Sequence, residues 1–212
     1  MWRLFSPFRA FLITAFIFAL LGTPLLWAAG SGESRDRGGA ETTRQVEARV
    51  AYIEGSVRIN GVVAEEGQTV PIGSKIRTIG QSYCTIIFGE KNIFRIEPDT
   101  LTRLWIGPKE SKIDISRGAI DAVFDRLKSL SGDDEFRVST PSAIAGVRGT
   151  VFYIKVEDPE TTYVCTCHGT LHQHGASESA ESGQEVTSYH HQAYRYIRSE
   201  EETRVEDAPL EY

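Results

Sequence analysis

The sequence predicts an all-β protein, and two observations carry this prediction. Short runs that alternate apolar and polar residues recur from Val46 to Ile197, which is the pattern of strands with one buried face. Glycine and turn dipeptides such as Asn60-Gly61 and Pro98-Asp99 separate these runs at even spacing. A β-sandwich, a roll and a short β-helix all fit such spacing, so the architecture stays open among these three.

An export segment precedes the strands. Arg3 and Arg9 come before the apolar run from Ala10 to Ala29, and Ala28-Ala29-Gly30 offers small residues to signal peptidase. We expect residues 1–29 to be a signal peptide or an N-terminal anchor helix that enters or crosses the inner membrane, with the remainder in the periplasm. Residues 30–45 are polar and rich in glycine and charge, which predicts a disordered linker.

Strands are predicted in order from residue 46. Val46, Ala48, Val50 and Tyr52 share one face of the first strand, and Asn60-Gly61 is a strong hairpin signal. Further strands are expected over Lys75–Thr78, Ser82–Phe88, Asn92–Ile96, Thr102–Ile106, Lys112–Ile115 and Ala119–Phe124. Turns are expected between them at Gly89-Glu90, Pro98-Asp99, Gly107-Pro108 and Arg117-Gly118, and one helical turn at Asp125–Leu130.

One local pattern recurs, in which a polar residue, a glycine, a small residue and an aliphatic residue follow each other. It occurs at residues 54–57, 117–120 and 168–171. The recurrence is either a coincidence among many glycines or the sign of a roll that turns similar corners.

The stretch FRVSTPSAIAGVRGTVFYIKV, residues 136–156, joins two β-like runs through a hinge of small residues. Proline holds the residue before it extended, and the two glycines allow the chain to bend on either side of an arginine. We interpret this stretch as a structural corner in which the arginine binds loop carbonyls or a carboxylate. The motif residues are Thr140, Pro141, Gly146, Arg148, Gly149 and Thr150.

The segments VPIGSKIRT (70–78), IFRIEPDTLTRL (93–104), IDISRGAIDAVF (113–124) and residues 136–156 together resemble the FecR domain. The resemblance covers residues 46 to 171 and implies an all-β periplasmic domain. The best-known members relay signals from outer-membrane iron-siderophore transporters to a sigma factor through a cytoplasmic helical domain. Only nine residues precede the apolar run of this chain, so we do not expect direct control of a sigma factor.

Composition excludes one class of partner. The net charge is −6, and there is no basic patch with interleaved aromatics, so nucleic acid is not an expected partner. The chain also lacks the Gly-x-Ser-x-Gly, His-Glu-x2-His and dinucleotide-loop motifs of common enzymes. Three acids, Glu97, Asp99 and Asp114, lie near turns without a visible partner, and such acids are usually solvated or capping.

All histidines and two of the three cysteines lie in the last fifty residues. Cys165 and Cys167 present two sulfurs on one strand face, and His190-His191 follows 23 residues after Cys167. Two thiolates with one or two imidazoles suit zinc or another transition metal, if the chain folds back to bring one histidine to the sulfurs. The alternative is a pair of small buried thiols, or a disulfide with Cys84. Strand parity places Leu171 with the cysteines.

The same parity places His168, His172 and His174 on the opposite face. These three histidines either lie on a solvated surface without a function of their own, or they bind a metal or sense acidification.

We therefore divide the exported chain into a FecR-like β domain over 46–175, a return segment with the histidine pair over 176–198, and an acidic tail over 199–212 that we expect to be mobile. The favoured function is a non-enzymatic interaction or sensory scaffold in envelope signalling, with an unidentified envelope protein or ligand as its partner. The alternative is a metal-binding or metal-sensing protein.

Overall fold

The computed structural model describes residues 47–89, 91–107, 111–125, 136–200 and 202–211, which belong to one compact unit. The predicted signal peptide or anchor, the linker and most of the predicted helical turn lie outside these residues. Within them, no helix has the length and apolar character needed to cross a membrane.

The described residues form an almost entirely β structure, as predicted. Its strands are β1 (Ala48–Ile59), β2 (Val62–Val63), β3 (Thr69–Val70), β4 (Ser74–Phe88), β5 (Asn92–Ile96), β6 (Leu101–Ile106), β7 (Ser111–Phe124), β8 (Phe136–Ser139), β9 (Ala143–Val156), β10 (Thr161–Gly175), β11 (Gln184–Ser188), β12 (Gln192–Arg198) and β13 (Thr203–Asp207). A 3-10 turn, Ala180–Ser182, joins β10 to β11.

These strands form one continuous 13-stranded sheet in the described part of the chain. Neighbouring strands are antiparallel except for β7 and β8, which are parallel. Antiparallel pairing does not fit a parallel β-helix, and the long strands bend enough to close a core within one sheet, which is the geometry of a roll.

The long strands change partner at their middle. β4 pairs first with β6 and then with β5, β9 first with β8 and then with β7, and β10 first with β12 and then with β11. A glycine in the left-handed region marks the change: Gly55, Gly80, Gly118, Gly149 and Gly169 have φ between 61° and 101°. The recurrent glycine pattern therefore marks bends inside strands. The turn predicted at Arg117-Gly118 is wrong, because β7 continues through it.

The main core lies on the inner face of the bent sheet. Burial alternates along the strands, and β5 shows it most simply, with Asn92, Phe94 and Ile96 buried and the residues between them exposed. Four rings meet at one end of this core, with centroids 4.8 to 6.5 Å apart: Phe88, Phe94, Phe124 and Phe136. Their burial removes four large apolar rings from water.

The C-terminal strands extend the same sheet. β12 pairs with β10 and β13 pairs with β12, and Glu211 forms ion pairs with Lys155 and Arg195 at 2.7 and 2.8 Å. These ion pairs tie Glu211, which follows β13, to β9 and β12, and the mobility of the acidic tail stays a prediction.

Candidate functional site: a cysteine and histidine cluster on the outer face of the sheet

Cys165 and Cys167 lie on β10, on the face of the sheet opposite the main core. Their sulfurs are 3.6 Å apart. A regular strand would separate residues i and i+2 by about 6.6 Å along its axis. The register between β10 and β9 shifts here, since Thr166 lies opposite Phe152 and His168 opposite Val151. Cys167 is the extra residue of a β-bulge, so the regular strand predicted here is wrong.

His191 reaches the sulfurs from the turn between β11 and β12. Its backbone N–H donates to the Cys167 carbonyl at 3.2 Å, and its Nδ1 lies 3.7 Å from the Cys165 sulfur. The ligand atoms of the three residues all lie within 4.8 Å of one another. His191 has φ of 51°, so its turn adopts a backbone conformation that β-branched side chains disfavour.

The predicted fold-back of the return segment brings one histidine of the pair to the sulfurs. β12 runs beside the cysteine strand, with Ala193 opposite Cys165. His190 is exposed and does not join the group of converging ligand atoms. Sequence alone cannot tell adjacent histidines apart, because the turn conformation decides which ring faces the strand.

A small apolar wall surrounds the cluster. Tyr163, Cys165 and Ala193 are buried together, with Tyr153 and Ala208 packed against them. The rings of Tyr153 and Tyr163 meet edge to face at 6.0 Å. This wall leaves Cys165 only 4% exposed, whereas Cys167 is half-buried. The sulfurs are therefore shielded on one side and reachable on the other.

The hydrogen bond between the two thiols shifts their pKa values in opposite directions. A hydrogen bond from Cys167 lowers the pKa of Cys165, and the Gln192 backbone N–H adds to that effect. The same bond, together with burial, raises the pKa of Cys167, although His191 opposes the rise. Cys165 is therefore the thiol that ionises first, and a thiolate is the form that binds metals.

Cys84 takes no part in this cluster. It lies in the main core and is fully buried, and burial raises the pKa of its thiol to about 12. All three cysteines are free thiols, so the alternative disulfide with Cys84 is not formed.

The predicted histidine stripe is divided. His168 packs edge to face on Tyr189, whereas the rings of His172 and His174 lie 6.0 Å apart. His174 is buried, with Nδ1 2.9 Å from the Gly175 carbonyl oxygen. Leu171 lies in the main core, away from the cysteines. Strand parity is wrong here because β10 contains two register shifts.

The structural corner of residues 136–156 is held by hydroxyls. Thr140 Oγ1 accepts from the Ala143 backbone N–H at 2.9 Å and lies 2.8 Å from Thr162 Oγ1. Ser142 Oγ donates to Thr162 Oγ1 at 2.7 Å. Pro141 lies in the bend between β8 and β9, where Ser142 and Thr162 are fully buried. This network ties the corner to β10.

The remaining motif residues lie along β9. Gly146 pairs with Arg137 and His172, and Thr150 Oγ1 donates to the Thr170 carbonyl at 2.6 Å. Gly149 takes φ of 78°. Arg148 is exposed and forms no hydrogen bond or ion pair with any described residue. The carbonyl contacts predicted for it are not formed there, and Thr140 supplies the anchoring instead.

Arg148→Ala is therefore expected to change the free energy of unfolding by less than about 0.5 kcal/mol, because the exposed side chain gives up no described contact. Thr140→Val is the comparison variant. It should cost about 1–3 kcal/mol, since buried hydroxyl groups lose a partner. Urea unfolding of the two variants measures both values, and a larger loss for Arg148→Ala than for Thr140→Val would contradict the assignment.

A paired carboxylate escaped the sequence analysis. Glu97 comes directly after β5 and lies beside Asp121 of β7, and its Oε1 lies 3.2 Å from Arg95 Nε at an angle that makes no hydrogen bond. Burial, followed by the hydrogen bond with Asp121, raises the pKa of Glu97 to about 7. Only the strand register brings these acids together, so no spacing rule could have revealed them.

Comparison with known proteins identifies one family. The sequence model of the FecR protein family matches residues 74–171. No curated protein matches the sequence.

Two crystal structures, at 2.50 and 1.65 Å resolution, of a candidate anti-sigma factor from Parabacteroides distasonis ATCC 8503 are similar to this chain. Each is 13% identical, with a TM-score of 0.47, over 63% of this chain and 59% of that chain.

Proposed function

This chain is a FecR domain-containing protein, and from that premise we propose that it is a non-enzymatic interaction scaffold in envelope signalling. FecR family proteins are envelope-associated signalling proteins. The match across residues 74–171 is the observation that carries the proposal, since those residues include β4 to β9 and most of β10. The periplasm is the proposed compartment and an envelope protein the proposed partner.

An apolar row on the outer face gives the scaffold a testable surface. Ile87, Ile93 and Val123 lie opposite one another on β4, β5 and β7. Each is between 41% and 47% exposed. Directly opposed residues of antiparallel strands project from the same face, so the three side chains form one continuous aliphatic row. We propose this row as the surface on which the partner docks, because contiguous exposed apolar patches mark such sites.

Capture from envelope extract by the immobilised chain tests this proposal. Ile93→Lys places a charge in the middle of the row and should weaken a partner that docks there by about 2 kcal/mol or more, as at the centre of other interfaces. Val63→Lys is the matched control, because Val63 is 63% exposed in a different hairpin. Equal capture by the wild type and Ile93→Lys would contradict the proposed surface.

Metal binding is the second candidate function, and the convergence of Cys165, Cys167 and His191 favours it. Tetrahedral zinc with sulfur at about 2.3 Å and nitrogen at about 2.0–2.1 Å spaces two sulfurs about 3.8 Å apart and sulfur from nitrogen about 3.6 Å. The distances here are 3.6 Å between the sulfurs and 3.7 Å from the Cys165 sulfur to Nδ1. These two spacings support a thiophilic cation bound by Cys165, Cys167 and His191, whose ligand atoms all lie within 4.8 Å of one another.

Zinc titration of reduced protein against a chromophoric chelator tests this second candidate. We expect one zinc ion per chain. His191→Ala should weaken binding at least about tenfold, because changes that merely support a ligand already have effects of that size. His190→Ala is the matched control and should bind as the wild type does. Equal zinc affinity of the wild type and His191→Ala would contradict the proposed zinc site.

A further inference from the structure

The two sulfurs of the cluster are close enough to react with each other. They are 3.6 Å apart, and a disulfide needs about 2.05 Å. The missing distance of about 1.5 Å is one that a side-chain rotation at an irregular strand position can supply. The bulge at Cys167 provides that irregularity, since Cys167 has no partner residue on β9.

Access to this thiol pair comes through Cys167. It is half-buried, while Cys165 is shielded by the tyrosine wall. Cys84 lies in the main core on the other face of the sheet, so no third thiol competes for either sulfur. Cys165 and Cys167 are therefore the pair that an external oxidant meets.

We propose that Cys165 and Cys167 form a reversible disulfide, and that this disulfide switches off metal binding at the same site. The proposal rests on the metal-binding candidate above. The oxidant is a low-molecular-weight disulfide, RSSR. Cys167, the sulfur that the oxidant can reach, attacks one sulfur of RSSR as its own proton leaves, and releases the first thiol, RSH, from the broken S–S bond. The Cys165 thiolate then displaces the second RSH. Two electrons pass to RSSR, and the two thiol protons leave on the products.

Oxidation and metal binding exclude each other for a chemical reason. Zinc coordinates thiolates, and the sulfurs of a disulfide carry neither charge nor the spacing of about 3.8 Å that two tetrahedral ligands need. A bound ion, in turn, occupies the sulfur lone pairs that would attack RSSR.

The geometry also favours easy reduction. A disulfide between residues two apart closes a short ring that stays strained even at a bulge, and strained disulfides have more oxidising potentials than structural ones. The oxidised state is therefore expected to return to the dithiol when reduced thiol is in excess. A switch of this kind responds to the redox poise of its compartment.

Equilibration of the full chain in mixtures of reduced and oxidised glutathione tests the proposal. Bound zinc is measured at each ratio, and the mass of the proteolytic peptide that contains both cysteines is determined by mass spectrometry. We expect that peptide to lose two hydrogen atoms as oxidised glutathione increases, and zinc binding to fall in the same proportion. Saturating zinc added beforehand should protect the pair. Cys84 should stay a thiol throughout.

Two variants separate the parts of the proposal. His191→Ala should bind zinc weakly and still form the disulfide, whereas Cys167→Ser should do neither. Zinc binding without any disulfide at any glutathione ratio would overturn the switch and leave the metal site standing. Zinc retained by the oxidised chain would also overturn the switch. A chain that forms the disulfide on oxidation but binds no zinc when it is reduced would overturn the metal-binding candidate and, with it, the switch.

Discussion

Replacement of Gly118 by alanine is expected to lower the free energy of unfolding by about 2–5 kcal/mol, which is the sum of a strained backbone and an overpacked contact. Gly118 has φ of 86° in the middle of β7. A Cβ there would lie 2.2 Å from Thr100 Oγ1 and 2.5 Å from the Thr100 Cα. The backbone atom cannot rotate away, so the strands must separate.

Thr100 makes the contact more costly to relieve. It is fully buried, and its Oγ1 accepts the backbone N–H of Ala119 at 2.9 Å. Displacement of Thr100 would leave that donor without a partner, which is itself unfavourable in a core. The Thr100 side chain therefore stabilises the bend in β7, and the bend leaves room for Thr100 only because residue 118 is glycine.

Gly149→Ala is the matched control. Gly149 has φ of 78°, and a Cβ there would meet nothing within 4 Å. It should cost only about 1–2 kcal/mol, the price of the left-handed conformation for an L-residue. Urea unfolding of both variants measures the difference, and equal losses would show that the approach of Thr100 to Gly118 contributes nothing.

The strands could be predicted from the sequence because alternation and burial have the same period. Asn92–Ile96 was predicted with the bounds that the structure has, because Phe94 and Ile96 alternate toward the core, although Ile93, between Asn92 and Phe94, is apolar and exposed. The predicted break at Arg117-Gly118 was wrong for a physical reason. A glycine at positive φ has the same sequence signature in a turn and in a bend inside a strand, and only the partner strands distinguish the two.

The candidate site could be predicted in its chemistry and only partly in its geometry. The concentration of sulfur and imidazole side chains in the last fifty residues indicated Cys165, Cys167 and a histidine from 190–191. Parity failed for Leu171 because a bulge adds a residue without leaving a mark in the sequence. The same bulge sets the distance between the Cys165 and Cys167 sulfurs, so the sequence could not predict whether the two thiols lie close enough to form a disulfide or to share a metal ion.

Glu97 shows what strand register adds. Its side chain is only 17% exposed, and Arg95, two residues earlier on β5, lies directly opposite Asp121. The outer face thus holds two acids and one cation in adjacent rows. One acid must be the more costly to ionise, and burial makes it Glu97, whose pKa rises to about 7.

The direction of the pH effect follows from this shift. The ordinary pKa of Glu97 is 4.5 and the folded value is about 7, so the folded state binds the proton more tightly than the unfolded state. The resulting stabilisation is complete below about pH 4.5 and is lost as the pH rises through about 7. Glu157 behaves oppositely, because its hydrogen bond with Arg195 lowers its pKa, and its stabilisation is lost as the pH falls.

Glu97→Gln is accordingly expected to raise the free energy of unfolding by about 1–3 kcal/mol at pH 8 and to change it little at pH 4.5. Glutamine keeps a donor for Asp121 and cannot ionise, so the penalty for a buried charge disappears at high pH. Urea unfolding at several pH values measures the profile. Glu157→Gln is the control of opposite sign, and it should destabilise the protein most at pH 8. A Glu97→Gln profile parallel to that of the wild type between pH 4.5 and 8 would show that Glu97 ionises normally, because removal of a carboxyl with a raised pKa must flatten the curve in that interval.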